Sequence, residues 1–89
     1  MIAKLRSNEI INNAYQWDGN EEEAREYFND QFMKVKDNIL SIVAYDDQSD
    51  VVVRTLNIGD WYIPAETGQY IYKKEDLNED YEIIGDVKK

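Results

Sequence analysis

Apolar and polar positions alternate along IINNAYQW (10–17), where Ile11, Asn13, Tyr15 and Trp17 share one side. A period of two predicts a strand with one large-residue face. After the break DGN (18–20), the spacing changes. Ala24, Tyr27, Phe28 and Gln31 or Phe32 fall at i, i+3, i+4 and i+7 or i+8, which predicts a helix over about 20–30. Asn20 suits its N-cap, with Glu23 three residues on as the reciprocal partner. In MKVKDN (33–38), Met33 and Val35 face one way and Lys34 and Lys36 the other, and Asp37-Asn38 suits a tight turn. ILSIVAY (39–45) is apolar on both faces, as a central strand is. The turn DDQSD (46–50) leads into VVVRTL (51–56), so the three runs predict a meander. Gly59-Asp60 reads as a turn before a short strand Trp61-Tyr62-Ile63 ended by Pro64. QYIYK (69–73), a turn of helix within 75–80 and YEII (81–84) complete the chain.

Runs of strands with one helix predict an α+β fold: a single domain over 1–89, with one main helix packed on a mostly antiparallel sheet of about five strands. The expected core is Tyr15 or Trp17, Ala24, Phe28, Val35, Leu40, Ile42, Val53 and Trp61. MIAKLRSNE has no apolar stretch long enough for a signal peptide, and no later run approaches a membrane span. With no cysteine to oxidise, the expectation is a cytoplasmic protein.

Three stretches carry a resemblance. AYQWDGN, GDWYI and QYIYKKEDLNEDYEII together resemble a family of short uncharacterised phage and prophage proteins. Their outline is a strand ending in Gln-Trp, a polar turn, a helix, and a late Gly-Asp-aromatic motif, here Gly59-Asp60-Trp61. The resemblance covers most of the chain and implies a phage origin, hence a host-cell setting, more than an activity. Where relatives tend to carry Cys-Lys-Pro-Asp, this chain has Lys73, Lys74, Glu75 and Asp76, so no role tied to that cysteine carries over.

The chain has neither histidine nor cysteine, so the commonest general base and the strongest nucleophile are both missing. Its four glycines stand far apart at predicted turns and build no phosphate loop. The expectation is a protein that is not an enzyme and uses no cofactor. Asp76, Asn78 and Asp80 imitate the first ligands of a calcium loop, as Asp46, Gln48 and Asp50 do more weakly. Tyr81 and Val51 stand where such a loop needs glycine, and Val87 and Asn57 where it needs glutamate, so no metal site is expected. Trp61 reads either as a core anchor after the turn glycine or as an exposed aromatic clamp.

Charge changes the picture most. Nineteen acids against ten bases give a net charge of −9, which disfavours nucleic acid and anionic membrane and favours basic partners. The acids gather in three groups: Asp18, Glu21, Glu22, Glu23, Glu26 and Asp30; Asp46, Asp47 and Asp50; and Glu75, Asp76, Glu79, Asp80, Glu82 and Asp86. Helix dipole, turn chemistry and solubility account for part of this. The functional reading is imitation of DNA. Glu22, Glu26, Asp30, Asp46, Asp47, Asp50, Glu75, Asp76, Glu79 and Asp80 would stand in for phosphates against a basic host DNA-binding protein, such as a histone-like one. In size and charge the chain also resembles phage DNA-mimic inhibitors. A homodimer is expected too, with Tyr70 and Tyr72 as candidate interface residues. Two other functions stay open. One is a sponge for a nucleotide signal, with Trp17, Trp61 or Tyr72 stacking the base and Arg54, Lys73 or Lys74 meeting phosphate. The other is a minor virion or assembly component.

Overall fold

The computed structural model describes residues 1–7, 10–46, 48, 50–65 and 68–86. The class is α+β, but the strands form two antiparallel sheets, of five and three strands, and not one sheet of about five. The larger sheet contains β1 (Ile2–Ser7), β2 (Ile10–Gln16), β6 (Trp61–Ala65), β7 (Gly68–Tyr72) and β8 (Glu82–Asp86), in the order β7-β6-β2-β1-β8. The smaller sheet is the expected meander of β3 (Phe32–Lys36), β4 (Ile39–Tyr45) and β5 (Val51–Leu56), with β4 central. Among the described residues there is a single α-helix, α1 (Glu21–Phe28), which continues into a 3-10 turn at Asn29–Gln31.

Each boundary has a local cause. Asn20 caps α1 as predicted, its side chain accepting from the Glu23 N–H at 3.1 Å. Asn29, at φ 51°, ends the helix. Asp37 and Asn38 both have positive φ, 53° and 64°, which a two-residue hairpin between Lys36 and Ile39 requires. Pro64 does not end its strand, which runs on to Ala65. Only Tyr62 and Trp61 of β6 pair with β2, so at Pro64 that side of the strand is open and the missing N–H costs no ladder bond.

The larger sheet is covered on both faces. On one face Tyr15 and Tyr62 join Trp17, Ala24 and Phe28, together with Leu40, Ile42 and Leu56 from the smaller sheet. Phe28 lies edge-on to Tyr15, Tyr27 and Tyr62 at centroid distances of 5.3, 4.9 and 4.9 Å. The neighbouring strand positions point the other way. Ala3, Leu5, Ala14, Trp61 and Ile63 therefore form a second core, closed by Leu77 from a 3-10 turn at Leu77–Glu79.

The smaller sheet is covered on one face only. Leu40, Ile42 and Ala44 point inward, whereas Val53 is 55% exposed and does not belong to the core it was expected to join. Its register explains this: Val53 pairs with Val43, one step out of phase with the inward pairs Leu40–Leu56 and Ala44–Val52. Val35 is only half-buried against the first core. No helix among the described residues is long and apolar enough to cross a membrane.

Candidate functional site

The first acidic group is organised by the start of α1. Glu21, Glu22 and Glu23 occupy its first turn, where the helix dipole favours carboxylates. Two of them are engaged locally. Arg25 donates to Glu21 Oε2 through Nε at 3.0 Å and Nη2 at 2.8 Å while lying over the Phe32 ring. Glu23 pairs with the Met1 amino group, which also donates to Asp18 Oδ2 at 3.1 Å. Burial works against the charge on Asp18, but the Asn20 N–H and the Met1 ammonium outweigh it and hold its carboxyl below the usual range. Glu22, Glu26 and Asp30 are exposed at intervals of four residues, Asp30 standing just past the bend at Asn29.

The second group serves its turn. Asp46 Oδ1 accepts from the backbone N–H groups of Gln48 and Asp50, both at 2.9 Å, and the residue is half-buried. Asp50 is exposed, and Asp47 lies outside the described residues.

Four acids of the third group, Glu75, Asp76, Glu79 and Asp80, line a strap over the second core. Leu77, 2% exposed, and the edge-on pair Tyr72–Tyr81, 5.4 Å apart, fasten this strap to the sheet. The polar residues between those anchors are left outward, so Glu75, Asp76, Glu79 and Asp80 are all exposed. The Tyr72 hydroxyl donates to Asp80 Oδ2 at 2.9 Å, and this bond, with a smaller contribution from burial, raises its pKa to about 12. Glu82 pairs with Arg6 at 2.7 Å. Among the described residues, the ion pairs take up Asp18, Glu21, Glu23 and Glu82, and none involves Glu22, Asp30, Glu75, Asp76 or Glu79.

The groups do not merge into one row. Ala14 and Tyr15 are consecutive and point to opposite faces of the larger sheet. The helix acids lie beyond the Tyr15 face and the strap acids beyond the Ala14 face. Asp46 and Asp50 stand apart at one end of the smaller sheet.

Aromatic candidates are mostly structural. Trp17 and Trp61 are 0% and 2% exposed and present no ring face to a base or partner. Trp17 Nε1 donates to the Asn38 carbonyl at 2.8 Å. The Gln16-Trp17 and Gly59-Asp60-Trp61 motifs grip each other. Gly59 N–H donates to Trp17 O at 2.7 Å, Trp17 N–H to Asp60 O at 3.0 Å, and Gln16 Nε2 to Gly59 O at 3.1 Å. Tyr70 is 51% exposed, while Tyr72 is half-buried against the second core. The described residues contain no cluster of three or more His, Cys, Asp or Glu placed to hold a metal ion.

Sequence reasoning missed the bare outer face of the smaller sheet. The signal was present in VVVRTL and ILSIVAY, since a strand apolar on both faces presents one of them outward unless something covers it. Compared with known proteins, the chain matches no family, no curated protein and no solved structure.

Proposed function

We propose that the chain is a non-enzymatic, phage-type protein that binds a basic host DNA-binding protein, its carboxylates taking the place of phosphates. One observation carries this reading: Glu22, Asp30, Glu75, Asp76 and Glu79 are exposed and outside the protein's own ion pairs among the described residues. A solvated carboxylate held clear of internal cations is ready to meet an external one, and its desolvation is compensated only when the partner arrives. The two principal groups flank the larger sheet from opposite sides. The fitting partner therefore surrounds its ligand, as a protein reading backbone charge and shape does, and needs no base-edge contacts. Asp46 contributes less than its neighbours, because its carboxylate is already committed to the turn.

A pull-down from bacterial lysate, followed by competition of the captured protein against duplex DNA, tests this. The expected partner is basic, is released by DNA, and binds more weakly as salt rises. Reversal of Glu75 and Glu79, or of Glu22 and Glu26, tells which side dominates, and should lower affinity without unfolding the chain. A partner that is not basic, or that holds DNA and this protein together, would refute the reading.

A further inference from the structure

Three tyrosines come together where the strap meets β7. Tyr70 and Tyr72 pair with Ile63 and Trp61 of β6, so both rings rise from the face that carries the second core. Tyr81, at the end of the strap, lies edge-on to Tyr72, with the ring planes 82° apart. Burial, then the Tyr70 hydroxyl and Asp80 beside it, push the Tyr81 pKa up, so Tyr70 and Tyr81 are neighbours as well. Tyr70 is 51% exposed, and Tyr72 and Tyr81 are half-buried, which leaves ring surface in water.

A carboxylate stands at the tips of these rings. Asp80 accepts from the Tyr72 hydroxyl and, among the described residues, from no other donor, so most of its acceptor capacity is open. Glu79 precedes it, exposed and outside the ion pairs of the described residues. Between Tyr70 and Glu82 the chain has five acids and two lysines, so the local field is negative. Among the described residues neither lysine forms an ion pair or lies over a ring. Lys74 is laid along Gly59 instead.

We infer that Tyr70, Tyr72, Tyr81 and Asp80 receive an arginine side chain, an assignment that takes its occupant from the basic partner proposed above. Aromatic faces attract a cation, and an adjoining carboxylate accepts its N–H groups. Arginine suits the pair better than lysine. Its planar guanidinium stacks on a ring while its edge donates, whereas an ammonium is compact and strongly hydrated. The molecule already holds one arginine this way: Arg25 lies 4.4 Å over the centre of the Phe32 ring while donating twice to Glu21. Other occupants are disfavoured by charge. A second copy would bring acid against acid, and a nucleotide's phosphate would meet the same carboxylates.

Titration with the peptide Gly-Arg-Gly-Arg-Gly, followed through the tyrosine ring signals by NMR, tests the inference. The signals of Tyr70, Tyr72 and Tyr81 should move together, and the lysine counterpart should bind about threefold more weakly. Tyr70→Ala should weaken the arginine peptide about three- to fivefold, while Tyr70→Phe, which keeps the ring face, should retain it. Tyr45→Ala removes an equally exposed ring from the smaller sheet and should change nothing. Asp80→Asn should weaken binding with native circular dichroism preserved. Equal affinity of wild type and Tyr70→Ala, or equal binding of the two peptides, would overturn the assignment. So would movement of these signals with adenosine monophosphate, or with the protein's own concentration alone. A basic protein from lysate that binds Tyr70→Ala as tightly as wild type would overturn the site and leave the proposed function in place. The arginine peptide seated on the tyrosines, with no basic protein recovered, would uphold the site and refute that function.

Discussion

The two sheets of this molecule bury their residues by different rules. In the larger sheet both faces are occupied, one by α1 and the smaller sheet, the other by the 73–81 strap, so consecutive residues such as Ala14 and Tyr15 are both fully buried. In the smaller sheet the large buried side chains, Leu40, Ile42 and Leu56, lie on one face, with only the small Ser41 enclosed on the other, where Val43 is half-buried and Val53 55% exposed although they are as apolar as those inside. Side-chain character therefore does not say which face is inside. Coverage does, and it is provided by segments distant in sequence.

Truncation of equivalent side chains in the two sheets tests that contrast most strongly. Leu5→Ala, at 0% exposure, should cost about 2–5 kcal/mol in chemical denaturation, whereas Val53→Ala in dilute solution should change stability by no more than about 0.5 kcal/mol. Comparable losses would mean the outer face is covered within one chain. Next in size is the clasp that joins β2 to β6. Gly59 has φ +99° and a Cβ there would stand 3.4 Å from the Lys74 side chain, so Gly59→Ala should destabilise by about 1–3 kcal/mol.

A smaller effect, of opposite sign, lies where the helix meets the larger sheet. The Tyr15 hydroxyl is buried and has no hydrogen-bond partner among the described residues. Tyr15→Phe should therefore leave stability unchanged or raise it by up to about 1 kcal/mol. Smallest is a pH effect confined to the strap. The folded Tyr72 pKa, raised to about 12 from 10.0, stabilises the fold fully below pH 10, and that contribution disappears as pH rises toward 12. Asp80→Asn should shift the Tyr72 absorbance titration downward and flatten the alkaline stability loss in that window.

Much of the first core was legible. The 3.6-residue spacing of Ala24, Tyr27 and Phe28, the Asn20 cap and the Asp37-Asn38 turn are local signals, and each specifies its structure within a few residues. β1 was not read, although Ala3 and Leu5 alternate with Lys4 and Arg6, because six residues with small apolar positions carry little weight alone. Its burial depends on β2 and β8 on either side. The second core was hidden for the same reason, since Leu77 has no periodic neighbour and is buried by what the strap crosses. That crossing also explains the crowding of carboxylates over 75–80. Anchors at Tyr72, Leu77 and Tyr81 face the sheet, which leaves the intervening acids in water. Their sequence showed the charge, and only the fold shows that it lies on the side of the sheet away from the helix acids.

The pairing of β1 with β8 has a kinetic consequence. Arg6 and Glu82 meet across 76 positions of chain, while the three strands of the smaller sheet join through neighbouring turns. Closing so long a loop is entropically slow, and folding rates fall as contacts become less local. The meander should therefore gain protection from hydrogen exchange early and the β1–β8 ladder last. For that interval the strap has no sheet to cross. Leu77 is then exposed, and the dense carboxylates around it keep the unfinished chain from associating through that segment.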